Sequence, residues 1–179
     1  MRHFVSLLMV LAMVVALAAP ALAGASTETV TPIAAAAAVE ALGQEVADTL
    51  TADVFVEADP EVYAETVNEM FKGEETITVN GAEYKADDMV LTGKATGNEV
   101  ALAEIKEGEL VKVAFSCAGI SEPGANLTQE QFLEQYDVIV MVNGVPTPIQ
   151  DVEGASIEVI NGVVVATLPF GSNFAVFAK

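Results

Sequence analysis

The sequence predicts an α+β fold that is mostly β, an antiparallel β-sandwich preceded by two N-terminal helices. The prediction depends chiefly on three Asn-Gly pairs, each of which lies between two runs rich in β-branched residues. Asn-Gly supplies the two positive φ angles that a type I′ turn requires, so each pair indicates a β-hairpin. Upstream of these pairs, two stretches have helical spacing instead. The three pairs are Asn80-Gly81, Asn143-Gly144 and Asn161-Gly162.

The first predicted helix covers residues 33–50. Thr31 and Pro32 have the form of an N-cap followed by proline at the first helical position, and an alanine-rich stretch comes next. Gly43 either ends this helix early or weakens it. The apolar residues spaced to share one face of the helix are Val39, Leu42, Val46 and Leu50.

The second predicted helix has the clearest boundaries. Asp59-Pro60 repeats the cap-and-proline signal, and Gly73 is placed to end the helix. One face carries a row of glutamates, and such a row of like charges costs helix stability unless solvent or a cation screens it. These acidic residues are Glu61, Glu65 and Glu69.

From residue 74 onward the sequence is typical of short β-strands. A fourth hairpin is predicted to turn at Glu107-Gly108, between residues 100–105 and 110–115. In all, about ten short strands are expected, a spacing typical of an immunoglobulin-like sandwich. One short helix is predicted within this region, because residues 128–131 have the form of a capping box.

The first 23 residues are predicted to be a secretory signal peptide. A short polar start precedes an apolar run, and Ala21-Leu22-Ala23 has the small-x-small pattern that a signal peptidase accepts. Cleavage after Ala23 predicts a secreted or cell-surface protein with no membrane span once the signal is removed. The predicted organisation is a signal peptide at 1–23, a flexible leader at 24–31, a helical segment at 32–73 and an antiparallel β-sandwich domain at 74–179.

The charge of the chain narrows the classes of partner that it can bind. Cleavage removes Arg2 and His3, the only arginine and the only histidine, and leaves six lysines against 26 acidic residues. Such a charge repels nucleic acid and anionic lipid, which bind proteins through lysine and arginine. It favours cations and basic partners, so a protein or cell-surface partner is expected and nucleic acid is not.

The remaining residue types exclude most enzyme classes. Without histidine there is no Ser-His or Cys-His pair, and without arginine there is no bidentate clamp for phosphate. A carboxylate pair that hydrolyses glycosides is the main alternative. The sequence selects no pair among its acids and no buried lysine for a Ser-Lys site, so no catalytic residue is assigned. The acids considered are Glu74-Glu75, Asp87-Asp88, Glu107 and Glu109.

Calcium is the metal that the composition permits, because it takes oxygen ligands and extracellular sites for it can be weak and acidic. Four acidic residues in predicted loops after hairpins are the candidate ligands, although no EF-hand loop or other calcium signature is present. No other cofactor is expected. The candidate ligands are Asp87, Asp88, Asp151 and Glu153.

The sequence also predicts the burial of Cys117 and a modification site at Asn126. Cys117 is the single cysteine, so no intramolecular disulfide forms. It ends an apolar run and is expected to be buried, with an intermolecular disulfide or a reactive thiol as the alternatives. Asn126-Leu127-Thr128 fits an N-glycosylation acceptor on a surface loop.

These observations predict an exported non-catalytic domain that acts in binding or assembly at the cell surface or outside the cell. The alternatives are a small secreted hydrolase that uses a carboxylate pair and a calcium-dependent adhesin-like module. Self-association is one expected form of assembly, because edge strands can pair with another subunit. The apolar runs at residues 163–168 and 174–177 are the segments best suited to strand exchange, unless they are ordinary core strands.

Overall fold

The computed structural model describes residues 30–179, so the predicted signal peptide, its cleavage after Ala23 and most of the predicted leader lie outside the described residues. The described chain is mostly β, and its paired strands are antiparallel. No helix within this range is long and apolar enough to cross a membrane.

The elements of residues 30–179 are numbered here in chain order. The strands are β1 (Val30–Pro32), β2 (Val54–Glu57), β3 (Thr76–Val79), β4 (Ala82–Lys85), β5 (Met89–Gly97), β6 (Leu110–Cys117), β7 (Tyr136–Val142), β8 (Val145–Pro148), β9 (Ser156–Ile160), β10 (Val163–Pro169) and β11 (Asn173–Ala178). The α-helices are α1 (Ala35–Leu42), α2 (Gln44–Ala47), α3 (Pro60–Phe71), α4 (Glu99–Glu104) and α5 (Gln129–Gln135). Two 3₁₀ turns, Ala86–Asp88 and Ile149–Asp151, follow β4 and β8.

Nine of these strands belong to two sheets. The first sheet has the strand order β1-β6-β10-β9, and the second sheet has the order β2-β5-β11-β7-β8. A separate hairpin pairs β3 with β4. The three predicted Asn-Gly hairpins are confirmed: they connect β3 to β4, β7 to β8 and β9 to β10, and both residues of each turn have positive φ.

One hydrophobic core contains side chains from both sheets. Val113 of β6 and Val176 of β11 belong to it, together with Phe115 and Phe174 of the same strands. The ring centroids of Phe115 and Phe174 lie 5.5 Å apart, so the centres of the two sheets are in contact. Burial of apolar surface of this kind is the main favourable term in folding.

The outer faces of both sheets are covered as well. α1 packs on the first sheet, where Leu42 joins a cluster with Val165 of β10. α3 and the β3–β4 hairpin pack on the second sheet, where Phe71 lies against Phe177 of β11 with ring centroids 6.3 Å apart. Strands β10 and β11 are therefore buried on both faces, which explains why their sequences are continuous apolar runs.

The position of these two strands decides between the two outcomes predicted for residues 163–168 and 174–177, strand exchange and ordinary core strands. Both segments are central: β10 lies between β6 and β9, and β11 lies between β5 and β7. Their backbone groups already pair with strands on both sides, so neither segment presents a free edge. The two apolar runs are core strands.

The N-terminal part of the described chain matches the prediction only in part, and the end of α1 at Gly43 is one of the two outcomes that the sequence predicts. Val30–Pro32, where the end of a leader and a helix start were predicted, is strand β1 and pairs with β6. The predicted helix of residues 33–50 begins at Ala35 and is divided at Gly43, whose φ of +79° ends α1. Strand β2, which follows, pairs with β5, so residues 30–57 contribute one strand to each sheet.

The predicted fourth hairpin at Glu107-Gly108 is wrong, because residues 100–105 do not form a strand: α4 covers Glu99–Glu104. The side chain of Asn98 accepts hydrogen bonds from the first-turn N–H groups at 3.0 and 3.2 Å, which caps the helix. Strand β6 pairs instead with β1 and β10, which are distant in sequence.

Helix α3 begins at the Asp59-Pro60 signal. Oδ1 of Asp59 accepts hydrogen bonds from two first-turn N–H groups at 2.8 and 2.9 Å. Lys72 in the left-handed conformation caps the C-terminus, and Gly73 follows at positive φ. The helix lies across the second sheet and places two of its glutamates beside that sheet.

Candidate functional site

A cleft with an acidic lining lies where α3, the β7–β8 turn and the connection from β10 to β11 come together. Its volume is about 630 Å³, which is within the range of small-ligand pockets. Four glutamates and one lysine line it, so the surrounding field is negative, and we call it the acidic cleft. Its charged residues are Glu65 and Glu69 of α3, Lys94 of β5, and Glu107 and Glu153 of loops.

The two glutamates of α3 each contact one residue of the second sheet. Nζ of Lys94 lies 3.1 and 3.2 Å from the two carboxylate oxygens of Glu65. Nδ2 of Asn173 donates a hydrogen bond to Oε2 of Glu69 at 2.9 Å. Lys94 and Asn173 are directly opposite each other on β5 and β11, so their side chains lie on the same face of the sheet. Helical spacing on α3 and cross-strand pairing beneath it thus position all four side chains.

Asn173 is a buried polar residue, with only 2% of its surface exposed. Its Oδ1 exposes less than 1 Å² and has no hydrogen-bond partner among residues 30–179. A buried acceptor without a donor costs free energy, and such groups are rare in native proteins. Asn173 also lines the acidic cleft, so the unpaired oxygen belongs to a residue of this site.

The connection from β10 to β11 is held by hydrogen bonds within itself and to β5. Oγ of Ser172 donates to the carbonyl of Pro169 at 2.6 Å, and the N–H of Gly171 donates to the carbonyl of Ala95 at 2.7 Å. Gly171 has a φ of +82°, and a Cβ there would lie 3.3 Å from Cγ of Glu107. A glycine at this turn therefore lets the Glu107 loop approach closely.

The β7–β8 turn and several apolar side chains complete the lining. Nζ of Lys72, just after α3, lies 3.4 Å from the carbonyl oxygen of Gly144 and connects the helix to this turn. Leu110 is 43% exposed and lies in the cleft with Val142 and Val152. The site therefore combines carboxylates with apolar surface.

The structure brings one of the four predicted calcium ligands into the acidic cleft. Glu153 lines it, whereas Asp151 accepts a hydrogen bond from Asn80, and Asp87 and Asp88 lie in the 3₁₀ turn between β4 and β5. Within the described range, no three histidine, cysteine, aspartate or glutamate side chains are close enough together to hold a metal ion. The four candidates do not converge on one site.

A second polar cluster lies away from the cleft. The hydroxyl of Tyr84 lies 3.1 Å from Oδ2 of Asp137, and Oδ1 of Asp137 pairs with Lys179 at 3.0 Å. Burial raises the pKa of Tyr84 above its ordinary value of 10.0, and the charge of Asp137 raises it further. Burial and the charge of Asp87 likewise raise the pKa of Tyr63.

The structure also shows where Cys117 and Asn126 lie. Cys117 is 1% exposed at the end of β6, which confirms the predicted burial. Asn126 is exposed in the loop before α5, and the predicted capping box is present at that helix, where Thr128 and Gln131 bond reciprocally.

Two residues of the acidic cleft, Lys94 and Asn173, carry no signal of this site in the sequence. Neither belongs to a local motif, and their pairing becomes visible only when β5 and β11 lie side by side. Two members of the glutamate row of α3 and the candidate acids Glu107 and Glu153 are the acidic residues named from the sequence that lie at this site. The two members of the row, Glu65 and Glu69, are the ones that contact the sheet.

Comparison of the chain with protein-family models, curated proteins and solved structures found no match. Its function is therefore inferred from its own residues. The acidic cleft, the overall charge and the N-terminal signal pattern are the features that bear on it.

Proposed function

We propose that the protein is an exported, non-catalytic binding module that acts at the cell surface or outside the cell, with the acidic cleft as its binding site. The observation that carries the proposal is a cleft lined by four glutamates in which the buried Asn173 has an unpaired acceptor oxygen. The signal pattern of residues 1–23 supports export. A negative cleft concentrates cationic groups near its surface, so a basic partner is the expected ligand.

The layering of the two sheets supports this role. We propose that the fold is a β-sandwich of the general kind found in immunoglobulin-like domains, because two antiparallel sheets contribute to one core. Its strand orders differ from the ABED and CFG orders of those domains. As in their binding loops, the cleft lies where strands end and turns begin.

The two alternatives have less support from the same cleft. For glycoside hydrolysis, Glu107 is the one acid of the sequence-derived set that lines the cleft within the described range. For a calcium-dependent adhesin, the candidate ligands are dispersed, with Glu153 in the cleft and Asp87 beside Tyr63. A cleft that attracts cationic groups needs neither a reacting pair nor a metal.

Binding to basic polymers at increasing salt concentration tests the proposal. We expect the purified protein to bind immobilised poly-L-lysine or poly-L-arginine, with an affinity that falls as salt screens the charges. The triple variant Glu65→Gln, Glu107→Gln, Glu153→Gln should bind about tenfold more weakly than the wild type.

The matched control removes the same charge elsewhere. Glu45, Glu130 and Glu158 are exposed and do not line the cleft, so the triple Glu→Gln variant at these positions should retain binding. Equal loss of binding in the two triple variants would show that the net charge, and not the cleft, attracts the polymer. That result would overturn the proposed site.

A further inference from the structure

We propose that the group recognised in the acidic cleft is the ammonium of a lysine side chain, presented by a lysine-rich segment of a protein partner and held between Glu69 and Asn173. This inference rests on the proposed function and names the chemistry of its ligand. The two residues already contact each other through Nδ2 of Asn173 and Oε2 of Glu69, 2.9 Å apart.

Asn173 supplies the observation that points to a ligand. Nδ2 of its amide donates to Glu69, whereas Oδ1 has no donor among the described residues, although Asn173 exposes only 2% of its surface. Oδ1 and Nδ2 belong to the same amide, and in this proposal one ammonium bonds both to Oδ1 and to the carboxylate that Nδ2 contacts. Because Oδ1 itself exposes less than 1 Å², binding in this proposal requires neighbouring side chains, such as the exposed Glu69, to shift and uncover it.

Lys94 shows how this cleft binds an ammonium. Its Nζ lies 3.1 and 3.2 Å from the carboxylate oxygens of Glu65, one helical turn before Glu69. Lys94 is opposite Asn173 across the β5–β11 pair. The chain's own lysine thus occupies the position beside Glu65, and the position beside Glu69 has an amide with an unpaired acceptor instead.

The shape of the charged groups favours lysine over arginine and over a metal ion. An ammonium is compact and directs three donors tetrahedrally, which suits two acceptors at a buried position, whereas a guanidinium needs room for a flat fork. The aliphatic part of a lysine can contact Leu110 and Val152, which line the cleft.

The distribution of the remaining acids favours a segment with several lysines. Glu107 and Glu153 are exposed residues of the cleft and are available to further ammonium groups of the same segment. The acids of the described chain nowhere gather in the threes that a metal ion needs. Carboxylates spread around a cleft suit an extended ligand whose charges are also spread.

Calorimetric titration with pentalysine and pentaarginine tests the inference. We expect pentalysine to bind about tenfold more tightly than pentaarginine, and binding should shift the side-chain amide NMR signal of Asn173. Asn173→Leu should weaken pentalysine binding about tenfold and leave the melting temperature unchanged or higher, because it removes an unpaired buried acceptor. Asn68→Leu, at an exposed position of α3, is the matched control and should retain binding.

A second pair of variants covers the case in which Asn173→Leu does not fold. Glu69→Gln keeps the shape of an exposed side chain and should weaken pentalysine binding about tenfold, whereas Glu61→Gln on the same helix should not. Unchanged binding in Glu69→Gln would overturn the inference, and so would pentaarginine or spermidine binding as tightly as pentalysine. If the triple cleft variant still loses its binding to basic polymers in that case, the proposed function survives and only the lysine assignment fails.

Discussion

Lys94 and Asn173 are opposite each other on β5 and β11, and α3 places one glutamate beside each of them. The Lys94 half of this arrangement is a partly exposed ion pair, which contributes at most about 1 kcal/mol to stability. The Asn173 half leaves an acceptor oxygen buried and unpaired. The first half adds a small contribution to the apolar packing of α3 on the sheet, and the second half is where the proposed ligand binds.

Gly162 is the glycine whose replacement should cost most among the Asn-Gly turns. A Cβ at this position would lie 2.1 Å from the carbonyl oxygen of Glu122 and 2.7 Å from the backbone nitrogen of Ala125. Gly81 has a similar positive φ and nothing within 4 Å of such a Cβ, so it is the matched control. We expect Gly81→Ala to cost about 1 kcal/mol and Gly162→Ala to cost about 1–3 kcal/mol more. Urea unfolding of both variants measures this, and equal losses would contradict it.

The cap of α3 is a second point at which stability can be tested. Asp59→Ala removes the acceptor of two first-turn N–H groups and should lower the free energy of unfolding by about 1 kcal/mol. Asp59→Asn retains an acceptor and should cost less. Denaturation of the wild type, Asp59→Ala and Asp59→Asn under the same conditions compares their free energies of unfolding. An equal loss in both variants would indicate that the charge of Asp59, and not its hydrogen bonds, stabilises the helix.

The raised pKa of Tyr84 predicts a loss of stability at alkaline pH. Because the folded pKa lies above the unfolded value of about 10, the stability that this group contributes is fully present below pH 10 and is lost as pH rises through the folded value. Tyr84→Phe should therefore make the fall of melting temperature above pH 10 shallower. Tyr63→Phe should have the same effect, since the pKa of Tyr63 is raised too. An unchanged slope in both variants would contradict the prediction.

The edges of the sheets predict the oligomeric state. β1 has three residues, and the edge strand β8 carries Pro146 and Pro148, which protect an edge against further pairing. We expect a monomer by size-exclusion chromatography with light scattering, even at high concentration. Pro146→Val restores a backbone donor and should increase self-association. Filaments or dimers of the wild-type protein would contradict this expectation.

The local part of the fold could be predicted and the long-range part could not. The three Asn-Gly turns are specified by two adjacent residues each, so they are visible in the sequence. The apolar residues of α4 fit both the helical and the strand periodicity, so the sequence pattern alone predicts a strand there. The hydrogen bond that the side chain of Asn98 accepts from the first turn caps a helix instead. β10 lies beside β9 through a predicted hairpin, but its pairing with β6 and both pairings of β11 join strands that are distant in the chain, and no local pattern encodes them.

The acidic cleft was predictable to a similar degree. The sequence indicates Glu153 as a candidate calcium ligand and Glu65 and Glu69 as part of a row of like charges. No sequence pattern indicates that these three residues lie at one site. Lys94 and Asn173 are brought together only by the register of two strands that are far apart in the chain. The acidic loop residues are dispersed for a similar reason: the loops that follow different hairpins lie at different places in the fold, and the sequence does not show where.

Many contacts join residues that are far apart in the sequence, and this affects the rate of folding. Val30 in β1 pairs with Cys117 in β6, and Nδ2 of Asn161 donates to the carbonyl of Ala41 across 120 residues at 2.8 Å. Topologies dominated by such distant pairs fold in about milliseconds to seconds, which stopped-flow refolding from urea would measure here. If the protein is exported as proposed, slow folding would leave the chain unfolded for longer after synthesis, and an unfolded chain is the form that can pass through a narrow secretion pore.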